Sequence, residues 1–114
     1  MSNVLKTLKE KFDEINSLLI ELINQQMASS TRAEIFTQKI IQAITALDMI
    51  QTNNPLAKKE IAEIRQQLIA MDSKTEALSL FRGKQYTKQL IKIQNDYTYA
   101  TSLFKHVNQL LTTT

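Results

Sequence analysis

The stretch Lys84-Gln-Tyr-Thr-Lys-Gln-Leu-Ile-Lys-Ile-Gln-Asn-Asp-Tyr-Thr-Tyr-Ala-Thr-Ser-Leu-Phe-Lys-His-Val-Asn-Gln-Leu-Leu111 decides how this chain folds. Within it Tyr86, Leu90, Ile93, Tyr97, Ala100, Phe104, Val107 and Leu111 recur at spacings of four and three. That period puts all eight side chains on one side of a helix. Removing a large apolar side chain from water is worth roughly 1.5–3 kcal/mol, so such a stripe demands a covering surface. Ile91, Tyr99, Leu103 and Leu110 widen it into shoulders, giving a face broad enough for two neighbours.

The covering surfaces are present upstream. Leu5, Leu8, Phe12, Ile15, Leu19 and Leu22 form one three-four stripe, and Phe36, Ile40, Ala43, Leu47 and Ile50 a second. Ile61, Ile64, Leu68, Met71, Thr75 and Leu78 form a third, followed by Leu80 and Phe81. One glycine and one proline in 114 residues leave almost no helix breakers. The fold class is therefore all-α.

Three places interrupt the pattern. Ala28-Ser29-Ser30-Thr31 clusters hydroxyl side chains that compete for backbone hydrogen bonds, and Thr31 to Glu34 fits a capping box, so a turn is expected before Arg32. Thr52-Asn53-Asn54-Pro55 offers an asparagine N-cap and a proline at the first helical position. Gly83 costs about 1 kcal/mol inside a helix, and the apolar register shifts by eleven residues between Thr75 and Tyr86. The expected helices are about 3–27, 32–51, 55–82 and 84–111, arranged as an antiparallel four-helix bundle in one domain over 1–114. The alternative is a third helix running on through Gly83, as a three-helix bundle or a long hairpin that would homodimerise. Residues 56–111 as one rod would span roughly 80 Å, long for a small domain.

Charge and chemistry narrow the function classes. Without cysteine there are no disulfides or thiolate metal sites. No apolar run reaches signal-peptide or membrane-spanning length, so a cytoplasmic protein that does not insert into membranes is expected. His106 is the single histidine and lies off the main stripe, Glu-x-x-His is missing, and one glycine allows no phosphate loop, so no catalytic, cofactor or metal residues are assigned. The net charge of +3 comes from residues 82–114, where Arg82, Lys84, Lys88, Lys92 and Lys105 face Asp96 alone. Lys84, Lys88 and Lys92 step by four along one face and would give salt-sensitive nucleic-acid contact, with Tyr99 the one stacking candidate; a solvated face is the preferred reading of that row. Four methionines and apolar residues beyond what one seam needs, Leu80, Phe81, Ile91, Tyr99 and Leu103 among them, suit a surface that accepts an amphipathic helix of another protein.

The run Ile69-Ala-Met71-Asp72-Ser-Lys-Thr-Glu-Ala-Leu78, followed by Arg82, Tyr86, Leu90, Ile93-Gln94 and Tyr97-Thr-Tyr99-Ala100, resembles the second half of FliT-type flagellar export chaperones, over about residues 30–104. The resemblance implies a small cytoplasmic chaperone that masks the C-terminal helices of a filament-cap subunit before secretion. It places Leu78, Phe81, Leu90, Ile93, Tyr97 and Phe104 at the client surface, and the excess of apolar residues adds Tyr99. A second family of small basic four-helix bundles, the immunity proteins of pediocin-like bacteriocins, is the alternative.

Overall fold

The computed structural model describes residues 2–25 and 30–112, and every regular element among them is helical. Four α-helices follow one another: α1 (Ser2–Ile23), α2 (Ser30–Asp48), α3 (Pro55–Glu76) and α4 (Gly83–Thr112), with a single 3₁₀ turn (Leu78–Leu80) between the last two. They form an elongated all-α bundle of 47 × 20 × 18 Å around one apolar core. Around the bundle α1 packs on α2, α2 on α3, α3 on α4, and α4 closes the ring against α1. The α3–α4 seam is the most extensive of the four and the α1–α4 seam the least.

The core is built from the stripes. Leu5, Leu8, Phe12, Ile15, Leu19 and Leu22 of α1 are all buried, as are Phe36, Ile40, Ala43 and Leu47 of α2. From α3 come Ile64, Leu68 and Met71, and Thr75 joins them because its hydroxyl donates to the Met71 carbonyl at 2.7 Å. From α4 come Tyr86, Leu90, Ile93, Ala100, Phe104 and Val107, while Tyr97, Leu103 and Leu111 are partly buried against the same cluster. The broad stripe of α4 is thus covered by the bundle itself.

The corners follow from local chemistry. Asn54 is extended (φ −71°, ψ 116°), and its side-chain oxygen accepts from Leu56 N and Ala57 N at 3.0 and 3.1 Å. Thr52 Oγ1 accepts from Asn54 N, and Pro55 opens α3 where a missing N–H is harmless. Gly83 has φ +59°, the left-handed region that a side chain disfavours, so α4 starts there and a continuous third helix is excluded.

Helix ends depart from expectation in four places. First, α1 stops at Ile23 and not at 27, with Asn24 N and Gln25 N donating back to Ile20 O and Leu22 O from a turn. Before the second corner, α2 stops at Asp48 and not at 51: Met49 N and Ile50 N donate back to Ala46 O and Leu47 O, and Ile50 still packs on the core from non-helical chain. Likewise α3 stops at Glu76 and not at 82, because the chain tightens into the 3₁₀ turn that buries Leu78 and leaves Phe81 extended. Finally, α2 begins at Ser30, so Thr31 lies inside the helix and cannot cap it as the Thr31–Glu34 pattern implied. Gln26, Met27 and the expected turn at Ala28–Ser29 lie outside the described residues.

Candidate functional site

The seven residues expected at a partner surface do not share one. Leu78, Leu90, Ile93 and Phe104 are buried at 6% exposure or less, so the closed bundle offers them to no partner and they belong to the core. Phe81 is partly buried at the corner before α4. Tyr97 lies between α4 and α1: its hydroxyl donates to the Phe12 carbonyl at 3.0 Å, and its ring tilts against that of Phe12. Tyr99 points the other way, toward α3, and its hydroxyl donates to Glu63 Oε2 at 3.2 Å. Tyr99 is 47% exposed and Ile91 50%, so these two shoulders stay outside the core.

The two flanks of α4 differ in chemistry. The α3 side is bridged by polar contacts, beside a pocket of about 360 Å³ lined in part by Glu63, Gln67 and Tyr99. The Gln89 amide donates to the Lys74 carbonyl, Lys74 pairs with Asp96, Tyr99 meets Glu63, and His106 Nδ1 lies 2.6 Å from Glu60 Oε1. Glu60 is buried at 9% exposure, and its second oxygen has no hydrogen-bond partner. Sequence reasoning missed this pair. Its only sequence signal is that His106 sits one heptad beyond Tyr99, on the same flank, while Glu60 sits three residues before Glu63. The Glu63 carboxylate pushes the Tyr99 hydroxyl above its usual range.

On the α1 side α4 is fastened by two tyrosines. Tyr86 OH donates to the Leu22 carbonyl at 2.9 Å, and Tyr97 OH does the same to Phe12 further down. Burial pushes both hydroxyls above the ordinary tyrosine range. Between these fixings and the bundle's end, a groove of about 930 Å³ opens, lined by Ile23, Asn24, Gln25, Arg82, Gly83, Lys84, Thr87 and Lys88. Ile91 lies one turn beyond Thr87, and Ile20 one turn before Ile23, so exposed isoleucines continue the apolar wall from both sides. The opposite flank of α1 is occupied: Glu14 pairs with Lys39 at 3.0 Å, which with Lys11 holds its carboxyl below the usual range, and Glu21 pairs with Arg32.

Among the described residues the cations beside this groove form no ion pair with a carboxylate. Arg82 donates to the carbonyls of Ser79 and Phe81 and not to an acid. Among the described residues no ion pair joins Lys84 or Lys88 to a carboxylate, and Asp96, the sole acid of α4, is engaged by Lys74. The aromatic candidate for base stacking, Tyr99, stands on the far flank. Among the described residues no group of three His, Cys, Asp or Glu could hold a metal ion, and no helix is long and apolar enough to cross a membrane.

The arrangement is that of a small all-α bundle with one flank of α4 bridged by polar contacts and the other opening into a groove walled by isoleucine and lysine. No protein-family model, no curated protein and no solved structure matches the chain.

Proposed function

We propose that this chain is a small non-enzymatic protein-binding bundle, acting in the cytoplasm as a chaperone that masks an amphipathic helix of a secreted client such as a flagellar cap subunit. The observation that carries the reading is the placement of Ile20, Ile23 and Ile91, each 43–51% exposed, along the least packed seam of the ring. Exposed isoleucines scattered singly need no explanation, but Ile23 in the groove's lining, with Ile20 and Ile91 one helical turn away on the two helices, makes a surface that prefers a covering helix to water. The His106–Glu60 pair gives the one histidine a structural partner, in keeping with a scaffold role.

The test is calorimetric titration of the chain with the C-terminal helical segment of a flagellar cap subunit, alongside light scattering of the full subunit. Saturable binding and suppression of the subunit's self-association are expected. Absence of both removes the chaperone reading.

A further inference from the structure

The charge around the groove specifies what its occupant looks like. Helix N-termini carry a partial positive charge and favour acidic residues in the first turn. The first turn of α4 has no acidic residue, and Lys84 stands there with Arg82 immediately before it. Lys88 follows Lys84 by four, a like-charge spacing that further destabilises a helix. The chain therefore gathers cations where they oppose both the helix dipole and one another, and no carboxylate among the described residues pairs with Lys84 or Lys88. The other helices also lack an acidic first turn, so what sets this end of α4 apart is the lysine pair at i, i+4 together with Arg82, all three on one groove.

The same cations line a groove whose wall is Ile23, with Ile91 one turn further on. An isoleucine wall with a one-sided basic rim is complementary to a helix that has an apolar stripe and carboxylates on one flank. We infer that the α1–α4 groove binds an acidic amphipathic helix of another protein, its apolar stripe on Ile23 and Ile91 and its carboxylates against Arg82, Lys84 and Lys88. Two features favour this occupant over a nucleic acid. The groove's lining holds no aromatic ring for a base to stack on, and its apolar wall has no counterpart on a phosphate backbone. The inference rests on the protein-binding reading above and specifies the client's chemistry.

The experiment uses two synthetic helical peptides with the same leucine stripe, one flanked by glutamate and one by lysine, titrated by fluorescence anisotropy against the full chain and against Lys84→Glu/Lys88→Glu. Both lysines are exposed, so the variant keeps its core, and circular dichroism melts verify that it folds. The glutamate peptide should bind the parent chain at least about tenfold more tightly than the lysine peptide, with the preference reversed in the variant and the affinity falling as salt is raised. Ile91→Ser should weaken the glutamate peptide without reversing the preference. Equal binding of the two peptides, with Ile91→Ser weakening both, would overturn the acidic-helix inference and leave the protein-binding reading standing. If neither peptide binds, both fall. A single-stranded oligonucleotide that displaces the glutamate peptide and is itself lost in the double variant would assign the groove to nucleic acid instead.

Discussion

The α1–α4 seam stands or falls on Phe12. Its ring is 2% exposed, stacks on Phe104 with centroids 5.3 Å apart and planes 28° from parallel, and meets Tyr97 at 6.1 Å. A phenylalanine buries about 150–250 Å², which at ~25 cal/mol per Å² is roughly 4–6 kcal/mol of transfer free energy. Residual burial in the unfolded chain reduces that, so Phe12→Ala should cost about 3–5 kcal/mol. A domain of this length has on the order of 6–17 kcal/mol in total, so the alanine variant sits close to the unfolding threshold at the low end. A cycle of Phe12→Leu, Phe104→Leu and the double change keeps most of the volume and isolates the ring–ring contact, whose coupling should be about 0.5–1.5 kcal/mol. Urea titrations followed by far-ultraviolet circular dichroism give both quantities. A loss below about 1 kcal/mol for Phe12→Ala, or no coupling in the cycle, would mean that α1 does not lie against α4 in this register. The groove beyond Tyr86 would go with it, because the same register sets its walls.

Three further outcomes follow from particular contacts. Gly83→Ala should destabilise by about 1–2 kcal/mol through its left-handed backbone alone, since an added Cβ meets nothing within 4 Å; Gly83→Asn should cost less, and an unchanged melting temperature for alanine would refute the corner. His106→Ala should cost about 1–3 kcal/mol by leaving the buried Glu60 carboxylate without its partner, whereas Glu60→Met, which removes the buried charge, should be near neutral; chemical denaturation that ranks them the other way refutes the pairing. All three tyrosine hydroxyls are pushed up in the folded state, so the neutral form is favoured there, and the stability this gives is intact below the unfolded value of about 10 and lost as pH rises through the folded values. Melting temperature should therefore fall above about pH 10 together with tyrosinate absorbance, less steeply in Tyr86→Phe/Tyr97→Phe; an equal slope in that variant counts against the two hydroxyls as the cause.

The helical stripes were legible because a helix's period is a property of the helix alone. Leu5 to Leu22, Phe36 to Leu47 and Tyr86 to Val107 needed only the 3.6-residue turn to be assigned inward, and Asn54-Pro55 needed only capping chemistry. The ends at Asp48 and Glu76 were less so, because Ile50 and Leu78 keep the apolar spacing after the backbone has left the α-helix. Four of the seven residues expected at a client surface lie in the core for the same reason: a stripe strong enough to be noticed is the stripe a bundle buries first, as Leu78, Leu90, Ile93 and Phe104 show.

What periodicity does not carry is the order of helices around the ring. Ile91 and Tyr99 are equivalent shoulders in the sequence, yet Tyr99 reaches Glu63 of α3 while Ile91 stays half exposed one turn beyond Thr87 of the groove's lining. Which shoulder finds a partner depends on whether α3 lies to one side of α4 or the other, and no local spacing encodes that. The ring order also explains why the open seam is this one. Three seams join helices that are consecutive in the chain, so a connection holds each pair together. The fourth joins α1 to α4, which no connection links, and it is held by the Tyr86 and Tyr97 hydroxyls and the Phe12–Phe104 stack. A seam fastened only by side chains is where such a bundle opens most easily, and a basic, isoleucine-walled groove placed there can exchange a guest helix while the three seams between consecutive helices keep their packing.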